Sequence, residues 1–293
     1  MIKNKTLLGI ALMVGAMLIF PFLDVCAKFL GQWGIPVIEI VWARLFFGLL
    51  LSAPILIWRE GSTSLQVKDS KINALRGFFL VISTMMFFGA LHYQGVAETL
   101  AIYFVQPLFI TALAPIVLKE KVGLNRWLAV AVGFIGVLII IRPGYLELNP
   151  GVFLAAGAGL GSAITLLLTR KLAGKNSAIA NTVYTNLFGS VFATVILIPF
   201  WVTPNFNTLL FMVLLATIGT LANFLTIMAM ENAEASLLAP LGYTEMINAV
   251  LAGWYFFGNF PDGWTFVGVA ILITCAIYIS VRERSKQLSF EPL

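Results

Sequence analysis

Apolar residues run along this chain in long, recurring blocks separated by short polar breaks. An α-helix needs about 20 apolar residues to cross a bilayer core. Ten blocks fit that requirement, at roughly 6–29, 37–58, 72–92, 96–118, 124–141, 150–169, 178–200, 209–230, 234–257 and 263–281. The strands of a transmembrane barrel would alternate with period two and come in much shorter runs. The breaks leave no room for a soluble domain; the longest follows the second block and carries Arg59, Glu60, Lys68, Asp69 and Lys71. The first block lacks a small-residue cleavage site and nine more follow it, so it reads as a helix and not as a signal peptide. The pattern predicts an all-α polytopic membrane protein with ten transmembrane helices.

Composition agrees. Of 293 residues 60% are hydrophobic and only 11% charged, too few charges to clothe a soluble surface of this size. A disordered chain, a disulfide scaffold and a soluble enzyme are excluded. The net charge of +5 does not point to nucleic acid, because the basic residues sit in short breaks and form no basic stripe. Cys26 and Cys275 both lie in apolar blocks and read as packing residues, and His92 is the single histidine. No metal site and no cofactor are expected. With both termini placed in the cytoplasm, 15 of the 18 basic residues fall at cytoplasmic breaks and helix ends; the others are Lys28, Arg44 and Arg142. That bias orients the chain.

The two halves echo each other. Gly9 to Leu30 aligns without gaps on Gly151 to Leu172, an offset of 142, and Ala90–Leu91 falls on Ala229–Met230, an offset of 139. The expected units are residues 1–146 and 147–293, each with five helices. Five is odd, so the second unit enters from the opposite side of the membrane and the repeats are inverted, an arrangement that builds two half-states around a central site. Some channels share it, as would a structural bundle made by duplication.

Charged and polar residues inside the blocks are the candidate chemistry, since an isolated charge in hydrocarbon is costly. Lys28, Glu39 and Glu98 lie near the extracellular ends, where they can meet water, while Asp24 and Arg44 are deeper. Glu245 is near the middle of the ninth block, on one face with Gly242 and Asn248. The repeat sets Gln106 opposite Glu245, and Thr99, Tyr103 and Gln106 form the matching polar stripe of the fourth block. Two roles are open to Arg44, whose repeat partner is Asn186: clamping a substrate carboxylate, or pairing with Asp24. Trp42, Tyr184 and Tyr243 are candidate aromatic surfaces for an apolar or cationic group. Pro107 and Pro240 flank the polar centre and are candidates for gating, because each removes a helical hydrogen bond. Gly157, Gly159 and Gly161 sit inside a membrane segment with no strand before them, so they read as a packing surface and not a nucleotide loop. There is no HExxH, Walker or nucleophile–base pattern, so no enzymatic activity is expected.

These residues resemble a known family. Asp24-Val-Cys-Ala-Lys28, Glu39 with Arg44, Leu75-Arg76-Gly77, Gln106-Pro107-Leu108-Phe109, Leu118-Lys119-Glu120, and Arg126-Trp127 followed by Gly133-Phe-Ile-Gly136 are similar to drug/metabolite transporters of the EamA type. The likeness covers nearly the whole chain. It is nearest the bacterial branch that includes S-adenosylmethionine uptake carriers. One departure is Asn259, the repeat partner of Glu120, where the family commonly has a second acid.

The resemblance implies a secondary transporter of the bacterial inner membrane working by alternating access. Its cargo would be a small organic metabolite, a zwitterionic or cationic amino acid or derivative. Expected site residues are Glu245, Tyr103, Gln106, Arg44, Trp42, Tyr184, Asn186, Tyr243 and Asn248. Coupling or gating falls to Glu245, Asp24, Pro107 and Pro240, with a proton as the coupling partner at Glu245 and the lipid bilayer as the surroundings. Broad export of hydrophobic amines is the alternative, and a channel a further one.

Overall fold

The computed structural model describes residues 2–61, 69–119, 124–141, 149–172, 175–233, 238, 241–242 and 244–288. Among them lie eleven α-helices: α1 (Ile2–Gln32), α2 (Val37–Glu60), α3 (Ser70–Ala90), α4 (Val96–Tyr103), α5 (Gln106–Val117), α6 (Leu124–Ile141), α7 (Pro150–Lys171), α8 (Ala178–Leu197), α9 (Phe206–Asn232), α10 (Thr244–Phe257) and α11 (Gly263–Leu288). No strand occurs among the described residues. Seven segments are by themselves long and apolar enough to cross a membrane, with α4 and α5 counted as one; α6, α10 and α11 complete the ten predicted spans.

The fourth span departs from the expected continuous helix. It breaks at Phe104–Val105, and the physical cause lies in the sequence. Pro107 has no amide hydrogen to give to the Tyr103 carbonyl four residues back. The backbone tightens instead, with Val105 N donating to Ile102 O at 3.0 Å, and α5 restarts at Gln106. Of the ninth span, expected over 234–257, residues 238, 241–242 and 244–257 are described, and the first part otherwise lies outside the described residues. Pro240 and Tyr243 lie outside the described residues.

Packing follows the repeat. α1 lies on α9 as α3 lies on α7; α2 meets α9 as α8 meets α3; α1 meets α10 as α7 meets α4 and α5. The remaining large pairs, α2 with α8 and α6 with α11, join a helix to its own repeat equivalent. This set of pairs maps onto itself when the halves are exchanged, as a two-fold relation requires. With five crossings per half, the two repeats are inverted.

Lipid supplies no hydrophobic drive between helices, so close backbone approach has to hold them. Where α6 crosses α11, a Cβ on Gly268 would lie 2.6 Å from the Gly136 carbonyl oxygen and 2.4 Å from Ile140 Cγ1. Where α7 crosses the break in the fourth span, a Cβ on Gly159 would lie 2.9 Å from the Tyr103 carbonyl oxygen. Gly157 and Gly161 meet Met86 and Ser83 of α3 in the same way, so the glycine row is a packing surface as expected. Leu23, Leu30, Leu45, Phe88 and Leu215 are fully buried between the helices. The perimeter is apolar, with Trp58 85% exposed and Phe206 79% exposed near helix ends, the belt positions of a membrane-embedded bundle.

The bundle has two ends. The upper end gathers the C-terminal ends of α1, α3, α8 and α10 and the starts of α2, α4, α9 and α11. The lower end gathers the C-terminal ends of α2, α5, α7 and α9 and the starts of α3, α6 and α8.

Candidate functional site

The break between α4 and α5 places two polar side chains on either side of a bend. Tyr103 closes α4 and Gln106 opens α5. Tyr103 Oη donates to Ser162 Oγ of α7 at 2.7 Å, and Gln106 Nε2 donates to the same oxygen. Ser162 was not among the sequence candidates. The signal for it was the glycine row itself: the residues that let α7 approach the bend also bring the serine that follows Gly161 against it.

Glu245 occupies the equivalent place in the second half, in the first turn of α10. A carboxylate there is favoured by the helix dipole. Its oxygens form no direct hydrogen bond or ion pair among the described residues. Arg44 of α2 interacts through space with Asp24, Tyr103 and Glu245. Arg44 Nη1 also donates to Thr84 Oγ1 at 3.4 Å, and the guanidinium lies 5.9 Å from the Phe88 ring centroid. Asp24, buried in α1, makes no direct ion pair with Arg44 among the described residues. The centre therefore joins α1, α2, α3, α4, α5, α7 and α10. It contains two carboxyl groups, one guanidinium, a phenol, an amide and two hydroxyls.

Other candidates lie at varying distance from this centre. Asn186 is set against Gly48, one turn along α2 from Arg44; a Cβ on Gly48 would lie 3.3 Å from its Nδ2. Asn248 Nδ2 donates to the Leu18 carbonyl and ties α10 to α1. Tyr184 packs against Phe188 on α8. Trp42 is on a different face of α2: its Nε1 donates to Thr194 Oγ1 at 2.9 Å, and its ring stacks on Phe46 and meets Trp201 edge-on. Thr99 is fully buried and donates to the Gly95 carbonyl at 2.8 Å. That bond stays within its own helix turn. Trp42, expected as an aromatic surface, meets α8 and the segment after it instead.

The charges near the upper end also divide. Lys28 and Glu98 line a cavity there, as expected of groups meeting water. Glu39 does not. It is 0% exposed, its Oε2 accepts from Val202 N at 3.1 Å, and Oε1 is buried without a partner. The segment after α8 folds over the first turn of α2 and seals it from water.

The lower end is tied across the repeats. Arg59 of α2 pairs with Glu231 of α9 at 2.6 Å, and Lys175 pairs with Asp69. Deeper, Arg76 of α3 donates to Asn73 Oδ1 at 3.0 Å and to the Asn181 carbonyl of α8 at 3.3 Å.

Comparison with known proteins agrees with this architecture. The model of the EamA-like transporter family matches twice, over residues 7–142 and 149–281. A protein of Vibrio cholerae serotype O1 named riboflavin transporter is 30% identical over 97% of this chain and 97% of its own. Proteins named S-adenosylmethionine uptake transporter are also similar. That of Rickettsia prowazekii is 25% identical over 91% of this chain and 90% of its own, and that of Rickettsia bellii 27% identical over 89% of each. A solved crystal structure shares the fold with a TM-score of 0.66 at 18% identity, covering 97% of this chain and 98% of that one. Ten apolar spans, a doubled five-helix unit and a double family match lead to one conclusion: this chain belongs to the EamA-like transporter family and is a polytopic membrane transporter, not an enzyme.

Proposed function

We propose that this transporter is a secondary carrier for a small organic metabolite bearing a cationic amine, zwitterionic as in amino acids and their derivatives. One observation carries the reading: two acids, Asp24 and Glu245, share the field of one cation, Arg44, and none of the three makes a direct ion pair among the described residues. With all three ionised the centre holds one uncompensated negative charge. In a low-dielectric interior such a charge calls for a positive partner. A substrate ammonium or a proton supplies it. Arg44 faces the same space and matches a substrate carboxylate, while Tyr103, Gln106 and Ser162 offer hydrogen bonds to the rest of the molecule. S-adenosylmethionine, named for the Rickettsia relatives, carries an amino-acid head and a sulfonium and fits this charge set. Riboflavin, named for the Vibrio relative, has no cationic group and would use the hydrogen-bonding side instead.

Alternating access is the mechanism the reading assigns. The halves 1–146 and 147–293 rock against each other about the centre, and the ties across the lower end break when that end opens. The positive-inside bias makes the lower end cytoplasmic, in a bacterial inner membrane. A proton exchanging at Glu245 would couple transport to a gradient.

Counterflow in proteoliposomes tests the reading. Preloaded S-adenosylmethionine should accelerate entry of labelled S-adenosylmethionine, and riboflavin should not. Glu245→Gln should retain exchange and lose gradient-driven accumulation if the residue carries the proton. It should lose both if the residue holds the substrate cation. Normal behaviour on both counts would leave Glu245 structural. Passive, non-saturable flux would favour a channel. Acceleration by unrelated hydrophobic amines would favour the broad exporter.

A further inference from the structure

A cavity of about 850 Å³ opens at the upper end, walled by the last turn of α1, the α3–α4 link and the end of α10. None of the residues of the central cluster lines it. The volume lies within the 300–1,000 Å³ range of small-molecule sites. Lys28, one turn along α1 from Asp24, places its ammonium on one wall. Its Nζ donates to the Gln94 carbonyl at 2.8 Å and lies 5.0 Å from the Phe257 ring centroid. An ammonium has three N–H donors, and two of these are left. Glu98, in the first turn of α4, also lines the cavity, and its Oε2 accepts from Gly95 N at 3.0 Å.

The two charges feel each other through space, yet they form no direct ion pair. Free side chains of opposite charge in a partly desolvated cavity would close on each other. Here the two are tied to opposite ends of one peptide group, the lysine to the Gln94 carbonyl and the glutamate to the Gly95 amide, and that group keeps them apart. Phe29, whose ring is 4.9 Å from that of Phe257, provides an aromatic wall beside the charges.

We infer that this cavity is an outer binding site for an α-amino-acid head group, separate from the central site and one stage before it on the route through the protein. The ligand carboxylate meets Lys28, the ligand ammonium meets Glu98, and the side chain lies along Phe29 and Phe257. The two rigidly held charges select a ligand that carries both charges close together over one that carries either alone. The inference rests on the zwitterion reading of the central site only in its choice of ligand class.

The test uses the full chain in nanodiscs with Gln32→Cys, an exposed position on the cavity wall, labelled by a water-soluble maleimide. The native cysteines are both buried. L-Methionine is the probe, compared with methionine amide, which lacks the carboxylate, and N-acetylmethionine, which lacks the ammonium. L-Methionine at ten times its half-protecting concentration should slow labelling roughly tenfold, the free-site fraction at that occupancy. The two derivatives should give little protection. Lys28→Gln and Glu98→Gln should each abolish protection, and Lys28→Arg should keep it. Glu245→Gln should also keep it, which separates this site from the central one. Equal protection by all three compounds would reduce the cavity to an apolar surface and overturn the inference. So would no protection by any of them, or protection lost with Glu245→Gln and kept with Lys28→Gln.

Discussion

The upper and lower ends of this bundle are built from equivalent helices and finished differently. At the lower end Arg59–Glu231 and Lys175–Asp69 each join a residue of the first half to one of the second, and Arg76 reaches across from α3 to α8. At the upper end a cavity lies among Lys28, Gln94, Glu98 and Phe257, and the contacts between the repeats there are hydrogen bonds from Val202 N to Glu39 and from Trp42 to Thr194 and ring contacts such as Trp42–Trp201 and Phe29–Phe257, with no ion pair among the described residues. Equivalent positions carry unlike residues. An offset of 142 places Glu39 on Asn181, and the earlier pairs Arg44 with Asn186 and Gln106 with Glu245 are equally mismatched. An inverted repeat supplies two ends of one shape; side-chain chemistry then makes one easier to hold shut. The lower ties are also partly wet, with side-chain exposures of 33% and 47% for Arg59 and Glu231. Such pairs are worth about 0–1 kcal/mol each, weak enough to break if the lower end opens as proposed.

The comparison breaks most completely if the lower end cannot open. Replacing Arg59 and Glu231 by cysteines and bridging them with a short bifunctional maleimide should bring transport to background. Labelling of Gln32→Cys at the upper end should persist. Transport that survives the bridge would show that these helices do not separate.

A smaller effect is expected at Arg76. Arg76→Ala removes the donor to Asn73, which is 0% exposed and whose Nδ2 already lacks a partner among the described residues. Leaving such a group unpaired costs about 1–3 kcal/mol. Thermal unfolding in detergent should start lower, and a cysteine at Asn181 should become more reactive. An unchanged melting point would mean that water already satisfies these groups.

The smallest effect belongs to the exposed pair. Arg59→Glu should weaken closure by no more than about 1 kcal/mol, seen as a modest rise in lower-end labelling. Adding Glu231→Arg should reverse it. Insensitivity to both would assign closure to the buried contacts alone.

Much of this was legible in the chain itself. Ten spans followed from apolar block length, because a bilayer imposes one length on every helix. The pairing of Gln106 with Glu245 followed from repeat offset, because duplicated halves keep equivalent residues in equivalent places. The role of Pro107 could be seen as a lost hydrogen bond, but not that the fourth span would split into two helices at Phe104–Val105. Ser162 and Thr84 were missed because a lone hydroxyl in an apolar run normally bonds back to its own helix. Thr165 and Thr169 do so here.

Membrane class, helix number, repeat and family are properties of pattern along one dimension, and the sequence by itself determined them. Helical spacing says which residues share a face; it does not say what that face meets. Tertiary structure decided that Trp42 bonds Thr194, that Glu39 is sealed from water, and that Ser162 joins Tyr103 to Gln106. It also set Lys28 and Glu98 at the two ends of the Gln94–Gly95 peptide group. Each of these depends on where a second or third helix crosses, and crossings are set by close glycine contacts between segments more than 50 residues apart.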